Sequence, residues 1–588
     1  MTEETALPEA GRGLSLRELF SRPGYMEALV FVVAVLAFIM SAGFPFLFDD
    51  RAQIVGNSQI RTWQGTLGYF ASDVWHSYDP RIVSKYYRPL FYLWVRFNYL
   101  LFGLKPAGWH ITLVLLHGAS SVLAFRLGAR LTGSRAAGVI AALLFALHPV
   151  HIESVAWISG MTDPLMACFL LAAMLIFLSW IEERRPAQLA FVALLYLLAL
   201  LCKEPAIMAL PVLALTAWLY APQTRMRAKL TAVLHGVAAP AAVAVAYLAL
   251  RAWILHASVS RVNALPVAAM LLSLPEVLLF YLRQSLFPVG LSFAYDFDPQ
   301  RQMSLEGFWI PLLVAAAIAA LYALWCYRER RHRRALLMAA AIFVAWLIPV
   351  LDIRLLDLNQ LVHDRYLYLP VLGVCIAVSV AFRQWSELQS APGQVRAAAF
   401  GALCVLLLAA TEVQQFGCAS ELLLWSRAAR IAPHNDLALS NLGVTLLERG
   451  EMAEGLAVFQ RDLQYNPNSW NSNYNMAYVL FSEHEYAAAQ PYIVRALEIK
   501  PQSPETLRMA GGIEMKLGKL EDAEKHMRSA LELDPDDEGF HTTLGLVLLE
   551  RGDRAAAARE FERELQMYPN NATARSGLQQ ARAAGGAK

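Results

Sequence analysis

Two adjacent carboxylates, Asp49 and Asp50, follow the first long apolar run of the chain, in the stretch FPFLFDDRAQIVGN. Neighbouring acids at the edge of a hydrophobic segment are costly, because both burial and mutual repulsion disfavour their charged forms. Three roles account for such a pair: capping a turn after the helix, binding a divalent cation, or general-base catalysis by one acid assisted by the other. The sequence leaves open which of the two is the base.

Cationic and imidazole side chains recur in the other polar stretches between apolar runs, and they favour chemistry over capping. A carboxylate base with several such groups at a membrane surface suits a sugar donor carried on a polyprenyl phosphate. The lipid phosphate is then the leaving group, and its developing charge needs Arg, Lys or His partners. The residues that we assign to donor-phosphate binding are Arg365, His363, Arg88, Arg283 and Lys203.

The motif HPVHIES, residues 148–154, has three interpretations. Its two histidines and its glutamate have the spacing of metal ligands, although no H-E-x-x-H pattern accompanies them. They could also contact the phosphate or the acceptor, or hold the fold through buried hydrogen bonds. The residues that we assign to acceptor contact or to structure are His148, His151, Glu153, Asp163 and Glu204. No residue is assigned as a metal ligand, and a divalent metal at the aspartates stays an alternative.

Two further motifs also have a structural alternative. In CKEP, Lys203 and Glu204 either pair with each other at a turn or leave Lys203 for the donor phosphate. In HDRYLYLP, Tyr366 and Tyr368 fit an interfacial aromatic belt, and Arg365 either reaches the membrane surface or binds phosphate. A charged triplet directly before an aromatic helix start favours phosphate binding.

The elements that must position these side chains are apolar runs, which fill the chain up to about residue 420. The chain is 57% hydrophobic and 17% charged, whereas soluble proteins are nearer 45–50% and about 25%. A spanning helix needs roughly 20 apolar residues, and this length predicts about eleven spans. They lie at 28–47, 108–126, 136–154, 164–181, 189–202, 206–220, 230–254, 308–327, 335–351, 366–382 and 397–416. The segment 267–287 contains proline and charged residues and is assigned to an interfacial or re-entrant helix.

Basic residues mark one side of these spans. With the N-terminal segment 1–27 in the cytoplasm, every inner loop is basic, including EERR at 182–185 and RERRHRR at 328–334, as the positive-inside rule requires. An odd number of spans then places the carboxylates, the cations and the C-terminal domain together on the outer side. The Ala- and Arg-rich composition favours a bacterial inner membrane with a periplasmic site. The net charge of +2 gives no indication of nucleic-acid binding.

A proline recurs every 34 residues in the C-terminal part, at Pro433, Pro467, Pro501, Pro535 and Pro569. Small residues recur with the same period, at Gly443, Ala477, Gly511 and Gly545. This is the tetratricopeptide pattern of paired antiparallel helices that cross at small residues. We predict a linker at 421–435, four repeats at 436–571, and a capping helix and tail at 572–588. Such a solenoid either binds extended peptide on its concave face or serves as a spacer or assembly scaffold.

The order of these motifs resembles the TMTC family, the transmembrane and tetratricopeptide-repeat O-mannosyltransferases. The resemblance rests on FLFDDRAQIVGN, YYRPLFYLWVRFNYLLFGLKPAGWHITLVLLH, LLFALHPVHIESVAWISGMTDPL, LLCKEP, LSFAYDF and HDRYLYLP, followed by the repeats. It implies an all-α GT-C membrane fold over 28–420, a lipid-phosphate sugar donor, and a base in the first outer loop that is Asp49 or Asp50 here. Asp364 stands where the family commonly has Glu, which shortens the side chain by one methylene.

The residues and the resemblance together predict an inverting membrane glycosyltransferase. It would move a hexose, mannose by the resemblance, from a polyprenyl-phosphate donor to Ser/Thr hydroxyls of extracytoplasmic proteins that the repeats bind. The alternatives are a transferase that acts on a glycan or lipid, and a non-catalytic scaffold or assembly factor. The peptide-binding solenoid argues against the first alternative, and the intact acids and cations argue against the second.

Overall fold

The computed structural model describes residues 24–75, 86–222, 225–256, 264–387 and 392–583. Apart from residues 24–27, the predicted N-terminal segment lies outside the described residues, and so do residues 584–588 of the predicted tail. Within the described ranges every regular element is a helix and there is no β-strand, so the all-α prediction is confirmed. The chain forms two compact units, Met1–Leu424 and Trp425–Lys588.

The first unit is a bundle of apolar helices joined by short 3₁₀ and π-helical turns. Its α-helices are α1 (Tyr25–Phe38), α2 (Trp63–Gly68), α3 (Pro89–Phe102), α4 (Pro106–Thr132), α5 (Arg135–Ala146), α6 (Ile152–Val155), α7 (Thr162–Glu183), α8 (Pro186–Cys202), α9 (Ala209–Tyr220), α10 (Met226–Ile254), α11 (Val267–Leu286), α12 (Ile310–Arg328), α13 (Arg333–Ala345), α14 (Ile348–Leu351), α15 (Pro370–Glu387), α16 (Gly393–Gln415) and α17 (Glu421–Ile431). The last of these begins in the first unit and occupies much of the segment predicted as a linker.

Seven helices of the described residues are long and apolar enough to cross a membrane, or eight if one bent pair counts as a span. They are Tyr25–Gly43, Pro106–Thr132, Ile158–Glu183, Met226–Ile254, Val267–Leu286, Leu305–Arg328 and Gly393–Ala419. The first unit is therefore a polytopic membrane domain, as the sequence predicts. A membrane-spanning helix needs roughly 20 apolar residues, and by this test the number is lower than the expected one.

The difference in number has several sources. The predicted spans 189–202 and 206–220 fall in shorter apolar helices, Pro186–Cys202 and Glu204–Tyr220, and the predicted span 335–351 is divided between α13 and α14. The predicted span 366–382 begins in a 3₁₀ turn and continues as α15, which is not among the seven spanning helices, and the predicted span 136–154 is the bent pair. In the opposite direction, α11 is long and apolar enough to cross a membrane, although its proline and charges suggested an interfacial helix. Composition alone places apolar runs well, but it does not show where a run is interrupted.

The polar motifs lie at these interruptions, and prolines cause two of them. α5 and the helical segment Pro149–Val155 meet at a bend of 51°, because Pro149 has no N–H to continue a helix and keeps His148 in an extended conformation. Lys203 is likewise extended, and a 3₁₀ turn over Glu204–Met208 leads into α9. Both breaks carry charged side chains out of regular helix and into the interior of the unit.

The second unit is an α-solenoid of paired helices. Its helices are α18 (Asp436–Glu448), α19 (Met452–Tyr465), α20 (Trp470–Ser482), α21 (Tyr486–Ile499), α22 (Pro504–Lys516), α23 (Leu520–Leu533), α24 (Phe540–Glu550), α25 (Arg554–Met567) and α26 (Ala572–Ala583). Asn435, Ser469 and Ser503 each cap a first helix of a repeat, since each side chain accepts a hydrogen bond from the backbone N–H three residues on. The 34-residue period is therefore the spacing between the N-termini of the first helices of successive repeats.

Small residues stand opposite large ones where the helices of a pair cross. A Cβ at Gly443 would lie 2.4 Å from the ring of Phe459, and a Cβ at Gly545 would lie 2.6 Å from the ring of Phe561. Real Cβ atoms do not approach so closely, so only glycine allows these large side chains to be fully buried at the crossing. The close helix crossings that the small residues predict are confirmed.

Replacement of Gly545 by Ala is expected to destabilise the last repeat by about 1–3 kcal/mol, because the new methyl group overpacks the buried ring of Phe561. The measurement is amide hydrogen exchange of peptides from α24 and α25 in the full chain, which should exchange faster than in the unaltered protein. Gly401→Ala on α16, where a Cβ meets no atom within 4 Å, is the control. Unaltered exchange in α24 would contradict the packing argument.

Candidate active site

The aspartate loop, residues 44–51, is fixed to the bundle by Asp50. After α1 a 3₁₀ turn over Ile39–Gly43 leads into this loop. Asp50 is fully buried; its Oδ2 accepts a hydrogen bond from Leu47 N at 3.0 Å, and its Oδ1 accepts from Ser159 N at 2.8 Å and Ser159 Oγ at 2.5 Å. Asp50 precedes the short helical turn Arg51–Val55 without capping it. Its carboxylate therefore ties two distant loops together.

Asp49 is the more accessible member of the pair, since its side chain is only partly buried. Burial raises the pKa of Asp49 to about 6, while the positive charge of Arg365 opposes this rise and the negative charge of Glu421 adds to it. Burial raises the pKa of Asp50 to about 7, although its hydrogen bonds from Leu47 and Ser159 favour the charged form. A carboxylate with a pKa near 6 is ionised at neutral pH and still basic enough to accept a proton.

Glu153 of the HPVHIES motif is the centre of a buried charged cluster. Its side chain is 2% exposed, and its Oε1 lies 2.8 Å from Arg365 Nη1 and 3.0 Å from His363 Nδ1. Its Oε2 accepts a hydrogen bond from the backbone N–H of Arg365 at 3.0 Å. One buried carboxylate thus joins two motifs that are 212 residues apart in the chain.

Two more acid–base pairs involve the CKEP motif. Lys203 Nζ lies 2.7 Å from both carboxylate oxygens of Asp163. Arg88 donates from Nε and Nη2 to Glu204 Oε2 at 3.0 and 2.8 Å. The alternative in which Lys203 and Glu204 pair with each other is therefore wrong, because each has its partner on another element.

Aromatic rings join the aspartate loop to these charged pairs. Trp157 Nε1 donates to the carbonyl oxygen of Leu47 at 3.3 Å, and the guanidinium of Arg365 lies 5.6 Å from the centre of the Trp157 ring. The ring of Tyr366 lies 5.6 Å from the Arg365 guanidinium and 5.9 Å from Lys203 Nζ. Asp49, Arg365 and Lys203 are thereby brought to one part of the unit.

Trp157, Ser159 and Tyr366 contribute to this arrangement, and the sequence did not single out the first two. Trp157 and Ser159 lie shortly after HPVHIES, in HPVHIESVAWISG. Neither side chain is charged, and charge was the property by which the other residues were selected. Tyr366 suggested only an interfacial belt. A hydrogen-bonding residue next to a charged motif is too common a feature to be selected from one sequence.

Three of the predicted residues have contacts of another kind. Arg283 is exposed on α11, and among the described residues its guanidinium lies near the ring of Phe280, at 5.7 Å, rather than beside a carboxylate. His148 Nε2 donates to the carbonyl oxygen of Ser285 at 3.0 Å. His151 is fully buried, with ring centres of Phe145 and Tyr368 at 4.5 and 4.6 Å. The hydrogen bond of His148 supports the structural interpretation of that residue, whereas both ring nitrogens of His151 are buried without a hydrogen-bond partner among the described residues.

Metal-ligand geometry was an alternative for both the aspartates and HPVHIES. Across the described ranges, no three His, Cys, Asp or Glu side chains are grouped so that they could hold a metal ion. Both oxygens of Asp50 accept N–H or O–H bonds, and Glu153 faces two cationic or imidazole partners.

Comparison with known proteins matches both units of the chain. Residues 87–253 match the domain family described as dolichyl-phosphate-mannose-protein mannosyltransferase, and residues 480–546 match a tetratricopeptide repeat. Protein O-mannosyl-transferase TMTC3 of Mus musculus is 24% identical over 93% of this chain and 64% of its own length. Protein O-mannosyl-transferase TMTC4 of Mus musculus is 24% identical over 74% of this chain and 66% of its own length.

A shorter region is more similar to a fly relative. Protein O-mannosyl-transferase Tmtc2 of Drosophila melanogaster is 37% identical over 31% of this chain and 20% of its own length. The chain spans less than two thirds of the length of the mouse relatives. The resemblance that the motifs indicate is confirmed: TMTC proteins align with up to 93% of this chain, and its parts match a mannosyltransferase domain family and, further along, a tetratricopeptide repeat.

Proposed function

We propose that this protein is a membrane O-mannosyltransferase that moves mannose from a polyprenyl-phosphate donor to a Ser or Thr hydroxyl of a protein acceptor. One observation carries the proposal: Trp157 contacts both the loop of the partly exposed Asp49, through its hydrogen bond to Leu47, and the guanidinium of Arg365, which Glu153 holds in place. This juxtaposition provides a proton acceptor beside an anion-binding group. The names of the relatives support mannose and a protein acceptor.

The reaction is a single displacement. The acceptor hydroxyl gives its proton to Asp49 as its oxygen attacks the anomeric carbon from the face opposite the lipid phosphate. The bond between that carbon and the phosphate oxygen breaks, and the configuration inverts. The phosphate leaves with the bonding electrons, and a cation beside it stabilises the developing charge.

Burial divides the predicted phosphate-binding residues into two groups. The side chains of Arg365 and Arg88 are 19% and 18% exposed, so each guanidinium keeps donors for a phosphate while its carboxylate partner fixes its direction. Lys203 and His363 are 6% and 2% exposed and act by holding the cluster together. Arg283 stays a proposed phosphate contact at the exposed surface of α11, and the segment 267–287 is proposed to help shape the groove for the lipid tail.

The site and the repeats are proposed to face the outer side of a bacterial inner membrane, in the periplasm. The basic loops predicted for the opposite side support this orientation. Protease added to spheroplasts should then digest the repeats, and protease added to the outside of sealed inverted vesicles should leave them intact. The reverse pattern would place the repeats in the cytoplasm.

The direct test of function is intact-mass analysis of secreted and periplasmic proteins from cells with and without the gene. A protein that loses one hexose in the deletion strain identifies the acceptor class, and restoration by the intact gene completes the test. Loss of hexose from a glycan or lipid instead would support that alternative acceptor. A deletion phenotype that a catalytically inactive variant fully restores would support the scaffold alternative.

The transfer rate is expected to rise with pH through about 6 and to level off above it, because Asp49 must be ionised to accept the hydroxyl proton and its pKa is raised to about 6. Below that value the base is protonated and the rate falls about tenfold per pH unit. The measurement is kcat/KM for a fixed acceptor and donor in detergent. A flat profile between roughly pH 5 and 8 would contradict a base of this pKa.

A further inference from the structure

The residue before the proposed base has an unusual backbone. Phe48 has φ of 50°, in the left-handed region that a bulky side chain rarely adopts. Such a conformation persists only where surrounding contacts hold it. Here the backbone N–H of Phe48 donates to Glu421 Oε1 at 2.8 Å. A carboxylate 373 residues further along the chain thus holds the backbone at Asp49.

The same carboxylate also holds the other side of the proposed base. Glu421 Oε1 lies 3.2 Å from Arg51 Nε, and the side chain of Glu421 is 14% exposed. Phe48 and Arg51 flank Asp49 and Asp50 in the sequence, so one oxygen bridges the loop around the acids. Glu421 is the first residue of α17, so the helix fixes the position of its backbone.

Several charges face Asp49 from the elements around it. Arg365 comes from the HDRYLYLP turn, Glu421 from α17 and Asp50 from its own loop, while the Tyr92 hydroxyl on α3 is close enough to interact with it. Arg51, two residues further along the loop, pairs with Glu421. The charge of Glu421 opposes that of Arg365. Together with burial, these two charges set how strongly Asp49 holds a proton.

From these contacts we infer that Glu421 is a positioning residue of the site: it fixes the backbone on both sides of Asp49 and adds the negative charge that makes Asp49 a better proton acceptor. This inference rests on the proposed role of Asp49 as base. In this inference Glu421 does not contact the sugar donor or the acceptor protein, and it acts only through the aspartate loop.

The test separates charge from attachment. Glu421→Gln keeps an oxygen that can accept a hydrogen bond from the Phe48 N–H but removes the charge. The fall of the transfer rate at low pH should therefore begin about one pH unit lower than in the unaltered protein. Glu421→Ala removes both contacts and should also lower the neutral-pH rate by about tenfold, since the base is no longer held in position. Glu27→Gln is the matched control, because it removes the same charge near Arg126 and Arg135 at the other end of α1.

A second readout does not depend on activity. A carbodiimide modifies protonated carboxyl groups, so the pH at which half of Asp49 is labelled, measured by tandem mass spectrometry of the full-length protein, reports its protonation. Glu421→Gln should lower this midpoint by about one unit, and Arg51→Gln, a change at a half-exposed side chain, should raise it. An identical midpoint in all three proteins overturns the inference even if transfer is normal. Absence of transfer by the unaltered protein, with shifted midpoints, overturns the proposed function and leaves the electrostatic part of the inference standing.

Discussion

Asp49→Asn is expected to lower the rate of mannosyl transfer by about a thousandfold, with little change in the KM for the donor. The amide has the shape of the carboxylate but cannot take the proton of the acceptor hydroxyl. The interaction lost is made mainly in the transition state, so the effect should fall on kcat. The measurement is hexose transfer from a synthetic polyprenyl-phosphate mannose to an acceptor peptide by the purified protein.

Two controls make this result specific to Asp49. Asp50→Asn should cost less, about ten- to a hundredfold, because Asp50 is buried and holds the loop through Leu47 and Ser159 without reaching the acceptor. Asp357→Asn, at an exposed acid that caps a separate turn, should leave transfer unchanged. A larger loss at Asp50 than at Asp49 would reverse the assignment of the base.

Arg365→Ala is expected to lower kcat/KM by about a hundred- to a thousandfold, from two causes. The phosphate loses the guanidinium that stabilises its departure, and Glu153 loses its principal partner while it stays buried. Arg365→Lys keeps the charge but not the forked donor geometry, so its loss should lie between those of the unaltered protein and the alanine variant. The measurement is the transfer assay over a range of donor concentrations.

The matched control is an arginine in the neighbouring loop that has its own carboxylate partner. Arg354 donates from Nε and Nη2 to Asp352 at 2.7 and 2.6 Å, so Arg354→Ala breaks a similar pair away from the Glu153 cluster. It should retain most of the activity. Equal losses for Arg354→Ala and Arg365→Ala would show that a broken ion pair, and not a lost phosphate contact, lowers the rate.

The repeat unit was predictable from the sequence, because its physical cause is local. Each repeat needs a helix cap, a small residue at the crossing and a large residue opposite, and these recur every 34 residues at Ser469 and Ser503, or at Gly511 and Gly545. Apolar runs predicted the membrane domain in the same way. The interruption at Pro205 was visible in the sequence, because it leaves two short apolar runs at 189–202 and 206–220. The bend at Pro149, inside the predicted span 136–154, was not.

The sequence by itself therefore determined the order of the elements. It also determined which polar residues of the apolar domain are candidates for the site, because burying a polar side chain is costly. Which acid pairs with which base was decided only by the tertiary structure: Asp163 and Lys203 are 40 residues apart, Arg88 and Glu204 are 116 apart. Such pairs form because a buried charge must find an opposite charge wherever the packing of helices brings one. The periodicity of a sequence describes neighbours along one helix, and it holds no information about which helix lies alongside. For the same reason the different surroundings of Asp49 and Asp50, identical side chains in adjacent positions, were decided by the tertiary structure, in which Ser159 bonds to Asp50.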